Sequence, residues 1–213
     1  MRLPLLWLDP WLLRAPFEGR AARRYVAAER CAFGDLDERL LDRFDAELRA
    51  ARTFLDVGAG TGEFAAKVAA RHPHLHVWAI EPSRAFARVA PVRTLRARAE
   101  RLPLASSSVD FAVLLSSLRH VRGRRAALAE LRRVVRPTGV AYVIELDPAA
   151  DRGRARRHVA GMRSLLSRLT FDPWVLRTCP GAPAFARAAH DVGWRVGDAA
   201  PDPKQPFYTL RLT

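Results

Sequence analysis

The 213-residue sequence predicts an α/β fold: a doubly wound, mostly parallel sheet of seven strands with an antiparallel strand at its C-terminal edge. Three observations carry that expectation. Short apolar runs alternate with stretches of helical period between Thr53 and Glu145, a β-α-β-α-β order. The runs are almost wholly apolar, as strands must be when helices cover both faces of a parallel sheet. In Phe54-Leu-Asp-Val-Gly-Ala-Gly-Thr-Gly-Glu63, an apolar run enters a helix-forming stretch through glycines 58, 60 and 62. Such a turn brings backbone close to a ligand, because glycine lacks Cβ and tolerates positive φ.

The elements follow in order. Gly19–Ala32 reads as an Arg/Ala-rich helix with Tyr25 and Val26 on its inner face. Leu36–Ala51 places Leu36, Leu40, Leu41, Phe44 and Leu48 at helical spacing, with Asp35 as its N-cap. Strand Thr53–Val57 leads to helix Glu63–Arg71 and strand His76–Ile80. Helix Ser83–Ala90, capped by Ser83, leads to a short strand at Val92–Ala97. After a loop at Glu100–Ser108 come strand Phe111–Leu115 and helix Arg124–Val135. Pro137-Thr-Gly139 reads as a stop-and-turn before strand Val140–Glu145. Beyond it, Asp151–Leu169 has the spacing of one basic amphipathic helix, and the prolines of Phe171–Pro183 predict a loop. Helix Ala184–Val192 and strands near Trp194–Val196 and at Phe207–Leu212 complete the sheet. We read a single domain over 1–213: an N-terminal helical cap (1–52), a ligand-binding core (53–148), a lid-like insertion (151–183), and a C-terminal helix with edge strands (184–213).

Composition narrows the function classes. The net charge is +14, carried almost entirely by arginine, since Lys67 and Lys204 are the only lysines. The arginines are spread along the chain, with clusters at Arg122–Arg125 and Arg152–Arg157, so a solvated face competes with a nucleic-acid footprint. Cys31 and Cys179 form no C-x-x-C pair, which suggests neither a disulfide framework nor a zinc site and fits a cytoplasmic protein. Leu3–Leu13 is apolar but contains Pro4, Asp9 and Pro10 and has no cleavage-site pattern, so we do not read it as a signal peptide. Its Trp7 and Trp11, with Phe17, need burial, either on the domain or in a homodimer. His72-Pro-His-Leu-His76 has no neighbouring acid cluster, and no metal is expected.

Ligands of open α/β sheets bind beyond the carboxyl ends of the strands. The glycine spacing here, G-x-G-x-G after Asp56, differs from the G-x-G-x-x-G of dinucleotide sites. An acid at the strand end repels a pyrophosphate but can pair with a ligand's ammonium group. At the end of the second strand, the Glu81 carboxylate of A-I-E-P-S can accept hydrogen bonds from both hydroxyls of a ribose. Together with Arg98-Ala-Glu-Arg-Leu-Pro-Leu, which is similar to a "D-A-E-x-L-P-F" stretch, and a strand ending in Glu145, these features resemble the class I S-adenosylmethionine (SAM)-dependent methyltransferases. The resemblance covers Thr53 to Pro148.

That resemblance implies a Rossmann-like methyltransferase fold, SAM as cofactor, S-adenosylhomocysteine as product, and methyl transfer to a small molecule. It implies cofactor contacts from Asp56, Gly58, Ala59, Gly60, Gly62, Glu81, Pro82, Ser83, Ala99, Glu100 and Ser116. It places Arg119 and His120 at a strand end where the family often carries a histidine pair, as catalytic residues, and makes Tyr25, Arg119, His120 and Glu145 acceptor contacts. The arginines favour an acceptor bearing a carboxylate or phosphate. Arg98 stands where the family has an acid for the adenine amino group, and arginine cannot accept a hydrogen bond. Adenine is then left to the backbone of Ala99 or the carboxylate of Glu100. Two other readings stay open: an RNA or other nucleic-acid methyltransferase, suggested by charge alone, and a SAM-binding partner subunit without catalysis.

Overall fold

The computed structural model describes Glu18 and residues 30–213. The expectations on Leu3–Leu13, on Tyr25 and on most of the Gly19–Ala32 helix lie outside the described residues. A short 3₁₀ turn, Arg30–Phe33, precedes the first helix.

Among the described residues the helices are α1 (Leu36–Ala50), α2 (Glu63–Arg71), α3 (Arg84–Ala87), α4 (Arg124–Val134), α5 (Arg152–Ala160), α6 (Leu165–Thr170) and α7 (Ala182–His190). The strands are β1 (Thr53–Val57), β2 (His76–Ile80), β3 (Thr94–Leu95), β4 (Val109–Leu115), β5 (Val135–Leu146), β6 (Ala200–Pro201) and β7 (Phe207–Leu212). They form one seven-stranded sheet in the order β3-β2-β1-β4-β5-β7-β6. Strands β1 to β5 pair in parallel, and β7 runs antiparallel to β5 and β6. Strand order therefore reverses between β1 and β4, the position where such sheets bind ligands.

Alternation along the strands builds two cores. Phe54, Phe111, Val113, Tyr142 and Ile144 face one side and pack with Leu40, Phe44 and Leu48 of α1. Leu55, Val57, Ala112, Leu114 and Val143 face the other, against Leu128 and Leu131 of α4, Phe185 of α7 and Trp194. Period-two side chains on strands buried by helices on both sides explain why the sequence shows apolar runs instead of apolar–polar alternation. Two polar groups that enter these cores are satisfied: the Tyr142 hydroxyl donates to Glu47 Oε2 at 2.6 Å, and Trp194 Nε1 donates to the Leu128 carbonyl at 3.0 Å.

The amino end of the sheet is closed by a carboxylate. Asp110 Oδ2 accepts from the backbone N–H of Arg52 at 2.9 Å, from that of Thr53 at 3.0 Å, and from Thr53 Oγ1 at 3.0 Å. Arg136 pairs with its other oxygen. Burial pushes the Asp110 carboxyl up, but these hydrogen bonds and the Arg136 charge outweigh it and hold its pKa below the usual carboxylate value.

Several expectations change. Pro137-Thr-Gly139 does not end a turn before β5 but lies within it. The pairing slips between Val109↔Val135 and Phe111↔Val140, so these residues bulge out of the ladder. Asp151–Leu169 is not one helix: α5 stops at Gly161, and Ser164 starts α6 by accepting from Ser167 N–H at 3.3 Å. The predicted loop after it begins as a π-helical turn, Phe171–Leu176, with Pro173 inside. The strand near Trp194–Val196 is reduced to one bridge, Val196↔Leu212, and the edge is supplied by β6. The strand expected at Val92–Ala97 shrinks to Thr94–Leu95, and the helix from Ser83 to a single turn. Ser83 caps that turn as expected, accepting from Phe86 N–H at 3.2 Å. Asp35 stands at the N-cap of α1 but does not cap it; its side chain pairs with Arg39 and, at 2.8 Å, with Lys204. Among the described residues no helix is long and apolar enough to cross a membrane.

Candidate active site

A cleft of about 520 Å³ opens beyond the carboxyl ends of β1, β2 and β4. Its size lies within the range of sites for small ligands, about 300–1,000 Å³. The turn after β1 forms its floor. Gly58 and Gly60 have φ of +75° and +58°, the left-handed region that disfavours side chains. They serve different ends. A Cβ at Gly58 would lie 2.6 Å from Ser117 Cβ, so that glycine lets the turn pack against the end of β4. A Cβ at Gly60 would meet nothing within 4 Å, so that glycine leaves backbone open to whatever occupies the cleft. Gly62 ends the turn as the residue before α2 and does not line the cleft.

Glu81 stands at the end of β2 with only 6% of its surface exposed. Its Oε2 accepts from Gly60 N–H at 2.9 Å and its Oε1 from Ser83 N–H at 2.8 Å. Burial raises its pKa, against the pull of those two N–H groups, and the Glu18 carboxylate adds to the rise. The carboxylate is thus aimed and held by backbone before any ligand arrives. Asp56, 1% exposed, ends β1 on the same wall.

Ala59, Pro82, Ala99, Glu100, Ser116 and His120 line this cleft too, so ten of the eleven cofactor contacts named from sequence converge there, Gly62 excepted. Arg98 also reaches it, 67% exposed at its side chain and 3.5 Å from Glu100 Oε1. Burial pushes the Glu100 carboxyl up, but its own backbone N–H, that of Gly123 and Arg98 outweigh it and leave the group below its usual value. A carboxylate therefore stands on this wall at Glu100, although position 98 carries no acid.

The end of β4 carries a second cluster. Ser116 has φ of +54°, unusual for a residue with a side chain. Arg119 holds it there: Nη1 donates to the Ser116 carbonyl at 3.0 Å and reaches its hydroxyl. The same Nη1 lies 3.0 Å from Glu145 Oε2, and Arg119 N–H donates to Glu145 Oε1 at 3.1 Å. Glu145 is 1% exposed. The structure thus joins Arg119 and Glu145 to each other, where the sequence reading set both against an acceptor. His120 lines the main cleft; burial, Arg119 and Arg124 drive its pKa well below the usual histidine value, so it is neutral near pH 7. Arg119 instead lines a smaller pocket of about 80 Å³ that adjoins the cleft at Phe33 and Ser116. Apart from Ser116 and Arg119, sequence reasoning missed the residues of that pocket, His158 among them. Its only sequence signal is a histidine within an apolar-spaced helix.

A seven-stranded sheet with this order, and a glycine turn facing an acid on the next strand, define a class I methyltransferase fold. Comparison with known proteins agrees. Residues 55–143 match the family described as methyltransferase domain. The chain is 32% identical over 141 residues to a ubiquinone/menaquinone biosynthesis C-methyltransferase from Syntrophotalea carbinolica, covering 61% of this chain and 60% of that protein. It is 29% identical over 201 residues to a malonyl-[acyl-carrier protein] O-methyltransferase from Geobacter sulfurreducens, covering 77% and 73%. Among solved structures it is similar to a SAM-dependent methyltransferase from Aquifex aeolicus, with a TM-score of 0.63 at 19% identity over 83% of this chain and 87% of that one. It is equally similar in fold to the [4+2]-cyclase SpnF, with a TM-score of 0.61 at 21% identity over 80% and 61%. Residues 55–143 therefore carry a methyltransferase domain on a class I fold, and SAM is the cofactor that goes with that domain. The chain spans about three fifths of the length of the C-methyltransferase it matches.

The residues present fit SAM. The open backbone at Gly60 and the preset Glu81 carboxylate suit a ribose. Buried Asp56 suits a positively charged amino group, and the Ala99–Glu100 wall suits an adenine.

Proposed function

We propose that this chain transfers a methyl group from SAM to a small-molecule acceptor. SAM, when bound, supplies a methyl group activated by its sulfonium sulfur. The chain's own work is alignment and exclusion of water. Glu81 accepts from the ribose hydroxyls while Gly60 and Ser83 N–H groups keep its oxygens in place. Asp56 takes the ammonium group at the end of β1. His120, neutral at the cleft wall, faces the acceptor side and is able to accept a proton where the acceptor atom needs to lose one.

The observation that carries this reading is the Glu81–Gly60 contact: a buried carboxylate anchored to an open glycine turn. A small acceptor is supported by the relatives, which are named for C-methylation in quinone biosynthesis and for O-methylation of a malonyl-acyl carrier protein. It is also supported by the arginine clusters. Arg124, Arg154 and Arg157 each bond to carbonyl or carboxylate oxygens of the chain itself, which weakens the case for a nucleic-acid strip. The test is titration calorimetry with SAM and S-adenosylhomocysteine, followed by labelled-methyl transfer into a metabolite extract and, separately, into RNA. Binding with label in a small compound supports the reading. Label in RNA alone, or binding with no transfer to either, replaces it.

A further inference from the structure

The small pocket beside the cleft holds a polar atom that the proposed chemistry has not yet used. Phe33, Phe171 and Phe207 share its wall with the polar Arg119, Ser167 and Thr170, and His158 is set among the rings. The His158 ring lies 4.6 Å from Phe171, 5.6 Å from Phe207 and 6.0 Å from Phe33, centroid to centroid. It is 3% exposed. Its Nδ1 lies 2.9 Å from Gln205 Oε1, an acceptor, so Nδ1 carries the proton and Nε2 keeps its lone pair. Among the described residues Nε2 has no hydrogen-bond partner. It is not among the side-chain atoms that are fully enclosed without a partner, so its lone pair is open to the pocket.

Charge at this pocket is balanced. Arg119 is neutralised by Glu145 at 3.0 Å, and both are tied to the strained Ser116 turn. Burial lowers the His158 pKa to about 4, against the Gln205 hydrogen bond, so the imidazole is neutral at pH 7. An acceptor carboxylate or phosphate would have to break the Arg119–Glu145 pair to gain a cation. At about 80 Å³ the pocket takes the end of a molecule, not a cofactor-sized ligand. It adjoins the cleft at Ser116, so a group seated in it presents its neighbour atoms to the cofactor side.

Resting on the methyltransferase reading above, we propose that this pocket seats the acceptor, that the acceptor is uncharged there and carries an O–H or N–H, and that this group donates to His158 Nε2. His158 then selects and orients the acceptor. Phe33 and Phe171 favour a flat or thin apolar group around the donor.

Protein labelled with ¹⁵N-histidine and loaded with S-adenosylhomocysteine is titrated at pH 7 with phenol and, separately, with benzoate. These probes share a ring and differ in charge and donor. The expected result is an unprotonated Nε2 at His158 whose resonance moves with phenol and not with benzoate. His158→Asn keeps a donor to Gln205 and deletes Nε2. It should weaken phenol binding about tenfold or more while S-adenosylhomocysteine affinity stays within about twofold. A proton on Nε2, a response to benzoate, no response to either probe, or a collapse of S-adenosylhomocysteine affinity in His158→Asn overturns the proposal. If the wild type fails to bind S-adenosylhomocysteine, the functional reading fails instead; the tautomer and the phenol response, repeated on the unloaded protein, still decide the pocket. If His158→Asn does not fold, the wild-type titration alone decides.

Discussion

Two carboxylates stand at opposite ends of the parallel sheet and use the same hydrogen-bond chemistry to opposite effect. Asp110, at the amino end, accepts from the backbone of Arg52 and Thr53 and is paired with Arg136. Glu81, at the carboxyl end, accepts from the backbone of Gly60 and Ser83, and among the described residues the charged group that acts on it is another carboxylate, Glu18. One pKa is lowered and the other raised. Two N–H groups on each side cannot explain that difference; the cation at Asp110 and the deeper burial of Glu81 do. Asp110 is a finished contact that serves the fold. In the proposed function, Glu81 is the contact that a bound ligand completes.

This contrast can be broken by mutation. Asp110→Ala should cost about 2–3 kcal/mol of stability, since several charge-assisted hydrogen bonds disappear together, and leave S-adenosylhomocysteine affinity unchanged. Thermal denaturation should then show a midpoint lower by roughly 5–10 °C. Glu81→Ala should do the reverse: affinity weakened by about 1.5–3 kcal/mol in calorimetry, with the midpoint nearly kept. Equal affinities would remove Glu81 from the site.

The glycine turn divides the same way. Gly58→Ala should lose about 2 kcal/mol or more of stability, because the new methyl overlaps Ser117. Gly60→Ala has open space above it and should lose about 1 kcal/mol for its left-handed backbone, yet weaken ligand binding markedly. A Gly60→Ala protein with wild-type affinity would show that no ligand atom approaches this backbone.

The smallest effect is in pH dependence, and it sharpens the electrostatic half of the comparison. Asp110 has a folded pKa below the usual aspartate value of 3.8, so its contribution is present above that pH and lost as pH falls through the folded value. Glu81 has a folded pKa above the usual glutamate value of 4.5, so its contribution is present below that pH and lost as pH rises through the folded value. Denaturation midpoints of Asp110→Asn and Glu81→Gln across pH 3 to 7 should therefore diverge from wild type in opposite directions. The Asp110→Asn deficit should shrink in acid. Glu81→Gln should gain on wild type as pH rises past about 4.5.

The features legible in the sequence share one property: their signal lies within one short stretch. Strands β1, β2 and β4, the Ser83 cap and the spacing of α1 are written in neighbouring residues, and so are the glycine turn and Glu81, which sit beside strand ends. What escaped depends on distant partners. Pro137-Thr-Gly139 looks like a turn in isolation. It stays in β5 because Gly139 packs where a Cβ would lie 2.8 Å from the Asp110 carbonyl. The stretch 151–169 has one helical period, yet it breaks at Gly161 and restarts at Ser164. Arg119 and Glu145 were both singled out for an acceptor, but nothing in either neighbourhood reveals that they pair. The small pocket draws on Phe33, His158, Phe171 and Phe207, segments that only the fold assembles.

The Asp110 clamp also has a kinetic side. It joins β4 to Thr53, residues 57 apart in the chain, across α2, β2, α3 and β3. Closing a segment of that length costs chain entropy before any contact repays it, so β1–β4 pairing is a slow event in assembly. The clamp is made only when the two strands align as Phe54↔Phe111, since a slip by one residue would turn the carboxylate to the opposite face. A contact that rewards only the correct register, and only after pairing, acts on the exit from the native state more than on entry to it. Losing Asp110 should therefore shorten the lifetime of the folded chain far more than it slows refolding, a difference that the two limbs of a denaturant-dependence plot separate directly.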